Sequence, residues 1–373
     1  MRVAIISKTF VAETAQRQLE WIARQPDIEL TLITPSTWRS DDGRLLSFLP
    51  RFTEGYQVRT ARVLFNGHYH LYLYRGLRGM LRSLRPDLVH IDEEPYNPAA
   101  MQAQFLATRL RAATVFVAWQ NLYRGYPIPY AWMERYTYRH AAAIIAGNSD
   151  AAAVLRRKGY AGRLATFSVH GVDPDLYQPL PRVSQRDSFT IGYLGRLVLY
   201  KGSGLLIEAL TGLPERCVLR LIGSGPDEGA LRRMADEMGV AGRVTFVPAV
   251  ATSDVPHVLA DLDVLAAPSL TRAHWKEQFG RVLIEAMACG VPVVGSHSGE
   301  IPHVIGSAGV IVPEGDVAAL GAALLRLAEH PELREYYARA GRARVLEHFT
   351  QEQVARKIVD VYHEALTSQE ARL

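Results

Sequence analysis

Cysteine is scarce in this chain, and its scarcity excludes several classes of protein. Only Cys217 and Cys289 occur among 373 residues. Two cysteines are too few for a disulfide scaffold, and these two lack the C-x-x-C spacing of a zinc or redox site. Such sparing use is typical of a reducing compartment. We therefore expect a cytoplasmic protein rather than a secreted one.

Long hydrophobic runs are missing as well. No apolar run approaches the roughly 18 residues that a membrane-spanning helix needs, and Lys8 interrupts the apolar N-terminus before the core of a signal peptide could form. The sequence also contains no low-complexity tract and no short internal repeat. These absences predict a soluble globular protein whose only membrane contact would be peripheral, at the inner face of the membrane.

The length and the net charge narrow the possibilities further. A chain of 373 residues predicts two domains, because one domain usually holds about 100–200 residues. The formal net charge of +4 favours anionic partners, which include nucleoside diphosphates, phospholipid headgroups and nucleic acid. Charge alone does not distinguish these partners, so the motifs must.

Short apolar segments alternate with stretches of helical periodicity along most of the chain. Continuously apolar strands of this kind are buried on both faces of a parallel sheet that helices cover. The first series comprises residues 3–7, 28–34, 87–91, 114–118 and 143–146, and the second comprises residues 189–194, 218–222, 244–247, 264–266 and 292–294. Each series predicts one doubly wound α/β domain.

A polar segment with two prolines, residues 178–188, separates the two series and is interpreted as an interdomain linker. We therefore place the first domain at residues 1–180 and the second at residues 189–350. After the cap-like Thr350, residues 351–367 show apolar and charged positions at helical spacing. This terminal segment, about 351–373, is expected to pack back onto the first domain.

The run from Glu277 to Gly290 carries most of the chemistry. It predicts a loop that enters a helix at about Gly280, and such a helix start offers unpaired N–H groups and a positive dipole end to a phosphate. Glu285 interrupts an apolar stretch, so we expect it to face a cleft with Glu277 and to accept hydrogen bonds from hydroxyls. The alternative is a dipole-favoured acid followed by a partly exposed helix glutamate.

A second run, residues 190–202, is a strand ending in a glycine turn that is followed by Arg196 and Lys201. Cations at the carboxyl end of a parallel strand lie where doubly wound sheets bind ligands. Guanidinium and ammonium groups together can neutralise a diphosphate leaving group. The alternative is a solvated basic loop.

Together the two runs resemble the retaining family 4 glycosyltransferases of the GT-B fold. The matching stretches are the E-x7-E spacing of Glu277 and Glu285, the G-R-L-x-x-x-K-G run of residues 195–202, and residues 268–294 and 168–173. The resemblance implies an α/β protein of two Rossmann-like doubly wound domains facing a central cleft. It also implies a UDP- or GDP-linked sugar as co-substrate, with no metal and no other cofactor.

The resemblance further implies roles for individual side chains. Arg196 and Lys201 would contact the diphosphate and stabilise its departure, Glu277 would contact sugar hydroxyls, and Glu285 would contact the ribose. Removing either cation should then lower turnover more than folding stability. The backbone amides implied to contact the sugar and the pyrophosphate are those near Phe279, Gly280, Arg281, Val282 and Leu283.

The base-binding and acceptor sides depart from the family pattern. Val247 and Pro248 match the base-binding stretch, but proline stands where a glycine often occurs, which leaves the base open. The Gly-Gly turn that many members carry after the first strand is absent, and Trp119-Gln120-Asn121 occupies the position of a common histidine. The acceptor-side candidates are therefore Thr9, Glu13, Thr14, Glu93, Glu94, Gln120 and Asn121. For Glu93 and Glu94 the alternative is capping of the following helix.

Other patterns are given less weight. The D-x-D strings at residues 173–175 and 261–263 have no further oxygen ligands clustered nearby, so we expect no metal there. The glycines of residues 223–226 are misplaced for a dinucleotide loop. Arginines at positions 75, 78, 82 and 85 recur at helical spacing, which predicts either a basic stripe against an anionic membrane or a solvated helix face.

The sequence thus favours an enzyme that moves a sugar from a nucleoside diphosphate sugar to a hydroxyl acceptor, with retention of configuration and without metal. The acceptor would be lipid-linked or a small glycoside, and nucleic acid is not an expected partner. Two rivals stay open. A nucleotide-sugar epimerase on the same two-lobed plan would convert the donor without an acceptor, and a non-catalytic nucleotide-sugar binding protein would show affinity without turnover.

Overall fold

The computed structural model describes residues 1–40, 43–181 and 187–370, except the side chains of Glu13, Thr14 and Glu370. The chain divides into two compact units, of which the first holds Met1–Val169 and Gln351–Leu373 and the second holds His170–Thr350. Residues 182–186, in the middle of the expected linker, lie outside the described residues.

Apolar segments of the first unit form a parallel sheet. The described strands of this unit are β1 (Arg2–Ile6), β2 (Glu29–Pro35), β3 (Thr37–Arg39), β4 (Leu45–Ser47), β5 (Tyr56–Ala61), β6 (Val63–Leu64), β7 (Leu73–Tyr74), β8 (Leu88–Ile91), β9 (Ala113–Ala118), β10 (Ala143–Ala146) and β11 (Arg163–Thr166). Within the described residues the main sheet has seven strands in the order β11-β10-β9-β8-β1-β2-β5. β3 with β4, and β6 with β7, form short antiparallel pairs.

Helices cover both faces of this sheet. They are α1 (Glu13–Ala23), α2 (Leu77–Leu84), α3 (Pro98–Arg109), α4 (Tyr130–His140), α5 (Ser149–Arg157) and the C-terminal helix (Gln351–Glu370). Asn97 caps the start of α3, because its side-chain oxygen accepts a hydrogen bond from the amide of Ala99 at 3.1 Å. α1 and the C-terminal helix bury Leu19 and Tyr362 against one face, and α2 buries Leu81 against the other.

The second unit repeats the plan. Its strands are β12 (Phe189–Leu194), β13 (Cys217–Ile222), β14 (Val244–Val247), β15 (Val264–Ala267), β16 (Val293–Ser296) and β17 (Val310–Val312), and its helices are α6 (Ser203–Thr211), α7 (Glu228–Glu237), α8 (Val255–Ala260), α9 (Arg281–Ala288), α10 (Ile301–Ile305), α11 (Val317–Glu329) and α12 (Pro331–His348). Among the described residues the parallel sheet has six strands, ordered β14-β13-β12-β15-β16-β17.

The α/β class and all the predicted strands are confirmed, each strand to within about two residues of its predicted bounds. In both sheets the winding direction reverses once, between β1 and β8 in the first and between β12 and β15 in the second. Doubly wound sheets bind ligands beyond the carboxyl ends of the strands at such a reversal. Of the helices in the described part of the chain, none combines the length and apolar character needed to cross a membrane.

Candidate functional site

Two loops meet at the reversal of the second sheet. One follows β12 and carries Lys201, and the other follows β15 and carries Glu277. The Lys201 ammonium Nζ lies 2.7 Å from Glu277 Oε2, and the Ser269 hydroxyl donates to the same oxygen at 3.0 Å. The structure therefore brings together residues from the two runs that the sequence analysis singled out.

Two glycines allow this close approach. Gly202 has a φ of +81°, and a Cβ there would lie 1.9 Å from the carbonyl oxygen of Pro268. Gly299 has a φ of +54°, and a Cβ there would lie 1.9 Å from the carbonyl oxygen of Glu277. Since a side chain would clash with backbone at both places, glycine fixes the spacing of the loops around Glu277.

Arg196, on the same loop as Lys201, is arranged differently. Its side chain is exposed, and among the described residues its guanidinium has no ion-pair or hydrogen-bond partner. Its carbonyl accepts the Tyr193 hydroxyl at 2.7 Å, which anchors the backbone of the loop. The two cations expected to share a diphosphate thus differ, because Lys201 is engaged by Glu277 and Arg196 is available to a ligand.

Gly223 and Gly225, which do not fit the pattern of a dinucleotide loop, pack against the loop that carries Arg196. A Cβ on Gly223 would lie 1.9 Å from the carbonyl oxygen of Gly195, and one on Gly225 would lie 2.1 Å from that of Leu197. Leu197 also donates its amide to the carbonyl of Ser224 at 3.0 Å. These glycines therefore support the position of Arg196 from the neighbouring strand.

Glu285 lies on α9, which begins after Gly280 as expected. Its side chain is buried, its Oε1 lies 2.9 Å from the Arg281 Nε, and it accepts the Tyr177 hydroxyl at 3.3 Å. Burial raises the pKa of Glu285 above its ordinary value, and the Arg281 guanidinium opposes that shift. The alternative of a partly exposed helix glutamate is wrong, and Tyr177 is a partner that the sequence analysis missed.

The remaining donor-side candidates lie along the same edge of the second sheet. The Phe279 ring is buried, with the His170 ring centroid 6.0 Å away. The Leu283 amide already donates to the Gly280 carbonyl at 2.8 Å, so one of the amides expected near the pyrophosphate has a partner within the protein. Val247 ends β14, and the exposed Pro248 follows it.

At the reversal of the first sheet, Lys8 follows β1 and Glu93 follows β8. Their side chains form an ion pair, and Glu93 also accepts the Tyr74 hydroxyl at 3.3 Å. The Lys8 ammonium lies 5.3–5.8 Å from the ring centroids of Trp38, Tyr69 and Tyr72, a geometry that favours a cation. The capping alternative for Glu93 and Glu94 is wrong, because Asn97 caps α3. The sequence analysis did not select Lys8, although a cation directly after the first strand was a signal.

Other acceptor-side candidates extend this edge. Glu94 accepts the Trp119 amide at 2.9 Å, and the Gln120 amide oxygen accepts the Lys158 ammonium at 2.9 Å. Asn121 follows Gln120 beyond β9, and Thr9, which donates its amide to the Ser7 hydroxyl at 2.9 Å, is exposed. The side chains of Glu13 and Thr14 lie outside the described residues.

Glu94 should make folding stability depend on pH. Its Oε2 is buried without a hydrogen-bond partner among the described residues, and burial raises its pKa from 4.5 to about 7. Between these values the folded state binds more protons than the unfolded state, so the free energy of unfolding falls as pH rises through this window. Glu94→Gln keeps the acceptor for the Trp119 amide but does not ionise. We expect it to be more stable than the parent at pH 8, by up to about 3 kcal/mol, and nearly equal at pH 4.5.

Thermal midpoints of both proteins across this pH range measure the difference. Glu29→Gln, which removes an exposed carboxylate from the same unit, serves as the control and should follow the parent. Parallel curves for Glu94→Gln and the parent would show that Glu94 titrates normally.

Two weaker expectations have clear structural outcomes. The arginine stripe is wrong as a continuous helix face, because α2 spans only Leu77–Leu84 and both flanking positions, Gly76 and Arg85, adopt left-handed backbone conformations. Asp261 pairs with Arg220 at 3.4 Å, and Asp263 accepts the Thr190 amide at 2.8 Å. That D-x-D string therefore has structural partners.

Two family models match successive parts of this chain. Residues 11–170 match the glycosyl transferase 4-like domain, and residues 181–344 match the glycosyl transferases group 1 domain. Together these models account for most of both structural units. The family models therefore match long stretches of this chain rather than one motif.

Individual relatives and solved structures agree with these models. A GDP-mannose-dependent alpha-(1-6)-phosphatidylinositol monomannoside mannosyltransferase from Mycolicibacterium smegmatis is 37% identical over 187 residues, covering 46% of this chain and 49% of the relative. A D-inositol 3-phosphate glycosyltransferase from Saccharomonospora viridis is 29% identical over 220 residues, covering 53% and 49%. The chain thus spans about half the length of these curated relatives in the matched regions.

The solved structure of sucrose-phosphate synthase from Thermosynechococcus elongatus is similar to this chain with a TM-score of 0.73 at 21% identity, covering 99% of this chain and 100% of that one. With the two parallel sheets, this likeness confirms the predicted GT-B fold class. The chain belongs to the glycosyl transferases group 1 family, and in this chain the match to the glycosyl transferase 4-like domain precedes the match to the group 1 domain.

Proposed function

We propose that this protein is a retaining glycosyltransferase that moves a sugar from a nucleoside diphosphate sugar to a hydroxyl acceptor without a metal. The observation that carries the proposal is the 2.7 Å contact of Lys201 with Glu277 at the reversal of the second sheet, beside the exposed Arg196. Cationic and acidic groups of one compact site match a ligand that joins a diphosphate to a polyhydroxylated sugar.

The second domain, residues 189–350, is proposed to bind the donor. Arg196 contacts the diphosphate through its exposed guanidinium, and Lys201 contributes positive charge while it orients Glu277 toward the sugar hydroxyls. Glu285 holds the ribose, and the base lies near Val247 and Pro248. The backbone amides proposed to complete the site are those of Phe279, Gly280, Arg281, Val282 and Leu283.

The first domain, residues 1–180 with the C-terminal helix, is proposed to bind the acceptor. Its candidates lie beyond the carboxyl ends of β1, β8 and β9, with Thr9 exposed and Glu94 and Gln120 hydrogen-bonded in place. The names of the two curated relatives support an acceptor that is a lipid-linked glycoside or a small phosphorylated polyol. A lipid acceptor would place the reaction at the cytoplasmic face of a membrane.

The proposed reaction needs no protein base. The bond from the anomeric carbon to the β-phosphate oxygen breaks, and the acceptor oxygen forms its bond on the same face of the sugar. The acceptor proton passes to the departing phosphate oxygen, so the products are the glycoside and a nucleoside diphosphate. The protein stabilises the charge that develops on the diphosphate, which is the role of preorganised cations.

A ligand panel followed by product analysis tests the proposal. GDP-mannose comes first because one relative uses it, and UDP-glucose and UDP-N-acetylglucosamine represent the uridine alternative. The correct donor should raise the thermal midpoint with the logarithm of its concentration above Kd, since a free concentration of about 100 times Kd adds about 2.7 kcal/mol to the free energy of unfolding. Phosphatidylinositol and inositol phosphate then serve as acceptors, with the anomeric configuration of the product read by NMR.

Each rival predicts a different result. A nucleotide-sugar epimerase would convert the donor in the absence of any acceptor, and a binding protein would be stabilised without forming product. An inverted anomeric centre would contradict retention, and failure of every nucleotide sugar to stabilise the fold would contradict the proposed function as a whole.

A further inference from the structure

A charged recess lies at the amino ends of the strands of the first sheet, whereas the acceptor-side candidates lie at their carboxyl ends. The amino ends of β1, β8 and β9 meet the ends of α2 and α3 there, and the recess has a volume of about 550 Å³. The described residues that line the recess include four arginines, Arg2, Arg82, Arg85 and Arg111. Asp87 and Leu110 lie beside them. Because the glycosyl-transfer candidates lie at the carboxyl ends of the strands, this recess is a separate feature.

Among the described residues that line the recess, four are arginines and one is acidic. Asp87 is engaged by Arg2, whose guanidinium lies 2.9 Å from Oδ1 and whose amide donates to Oδ2 at 2.7 Å. Among the described side chains, none places a carboxylate within ion-pair distance of Arg82, Arg85 or Arg111. Three guanidinium groups around one recess repel one another, and an anion bound among them would relieve that repulsion.

The backbone at two of these arginines is unusual. Arg85 has a φ of +47° and Arg111 has a φ of +58°, and both residues follow the ends of helices, α2 and α3. Glycine adopts this conformation without the steric cost that a side chain brings. Arginine at both turns therefore places two guanidinium groups at the recess despite an unfavourable backbone conformation, which is a pattern found at ligand sites.

We propose that this recess binds a phosphate-bearing ligand. The planar guanidinium fork matches the oxygens of a phosphate in geometry and charge. A volume of about 550 Å³ falls within the range of small-molecule sites, so it accommodates the phosphate together with a group attached to it. The ligand is either a soluble phosphorylated compound or the headgroup of an anionic lipid. This site is additional to the proposed donor and acceptor sites.

A purely structural role makes a different prediction. Basic residues near helix ends interact favourably with the carbonyl end of the helix dipole, so their loss would lower stability without affecting any ligand. The variant Arg85→Gly/Arg111→Gly separates the two roles, because glycine suits both turns while removing both guanidinium groups. Phe65→Gly, at an exposed position with a φ of +56°, is the matched backbone control, and Arg135→Gln/Arg139→Gln on α4 is the charge control.

The test titrates inorganic pyrophosphate into the full chain by calorimetry and measures sedimentation with vesicles of phosphatidylcholine with or without phosphatidic acid. All proteins carry Arg196→Ala, so that the proposed diphosphate site of the second unit contributes little. We expect the recess variant to bind at least about tenfold more weakly than its parent, since two charge-assisted hydrogen-bonding groups are lost. Both controls should bind as the parent does.

Either the pyrophosphate titration or the vesicle sedimentation can support the proposal that the recess binds a phosphate-bearing ligand. Pyrophosphate binding that weakens in the recess variant identifies a soluble ligand, and binding confined to phosphatidic acid vesicles that weakens in the same variant identifies a headgroup. Equal binding by the recess variant and the controls, or no binding in either arm, overturns the proposal. Since none of these measurements uses sugar transfer, their outcome is independent of whether the proposed glycosyltransferase activity is found.

Discussion

Arg196→Ala should lower kcat by about a hundredfold to a thousandfold while leaving the thermal midpoint almost unchanged. The guanidinium is exposed and has no hydrogen-bond or ion-pair partner among the described residues, so its removal breaks no such interaction there. Its backbone is held separately, because the Tyr193 hydroxyl bonds to the Arg196 carbonyl at 2.7 Å. In the proposed site the Arg196 guanidinium lies next to the charge that develops on the diphosphate. It therefore stabilises the transition state more than it stabilises the folded protein.

Single-turnover rates with the identified donor, together with thermal midpoints without ligand, measure the two effects separately. Arg233→Ala removes another exposed arginine of the same unit, on α7, and should change neither quantity. Turnover at the parent rate would remove Arg196 from the proposed site. A large fall in the midpoint would show instead that the residue supports the fold.

Interior strands were predictable because nearly every residue in them is apolar. β10 and β12 lie inside their sheets and are buried along most of their length, so their sequences are almost continuously apolar. In the two main sheets the sequence analysis missed three strands, β5, β11 and β17, and all three are edge strands. It also missed the short antiparallel strands β3, β4, β6 and β7. β5 exposes Gln57 and Thr60, and such polar positions interrupt the apolar pattern that identifies a buried strand.

Helix bounds near left-handed residues were harder to predict. The arginine periodicity from Arg75 to Arg85 suggested one continuous helix, but both ends of that stretch turn out of the helix in left-handed conformations. A left-handed backbone conformation at a non-glycine residue is difficult to predict from sequence, because the surrounding structure imposes that conformation. The expectation of one continuous stripe of four arginines was a consequence of that error.

The positions of the candidate residues were predictable, but their pairing was not. The motifs placed Lys201 after a strand and Glu277 in a loop just before a helix, and they assigned the two residues to different parts of a ligand. Their direct contact, like that of Tyr177 with Glu285, joins residues far apart in the chain. Side-chain distances of this kind depend on the packing of the loops, which no single-sequence pattern encodes.

That pairing changes what the loss of Lys201 should do. The sequence analysis expected a variant at this position to lose turnover more than stability, as for Arg196. In the structure Glu277 has only 11% of its side chain exposed and bonds to the Lys201 ammonium at 2.7 Å. Lys201→Ala removes the ammonium partner of this mostly buried carboxylate, so we expect the free energy of unfolding to fall by about 2 kcal/mol and the thermal midpoint to fall by about 5 °C.

A double-mutant cycle separates the structural from the catalytic contribution. Glu277→Gln removes the negative charge that Lys201 neutralises in the parent. The thermal midpoint of Lys201→Ala/Glu277→Gln should therefore return most of the way from that of Lys201→Ala to that of the parent. Its turnover should stay as low as that of either single variant, because both proposed contacts with the donor are gone. Arg233→Ala again controls for the loss of a positive charge. If the double variant is as unstable as Lys201→Ala, the ion pair does not hold the two loops together. Recovery of turnover along with stability would mean that Lys201 acts only by positioning Glu277.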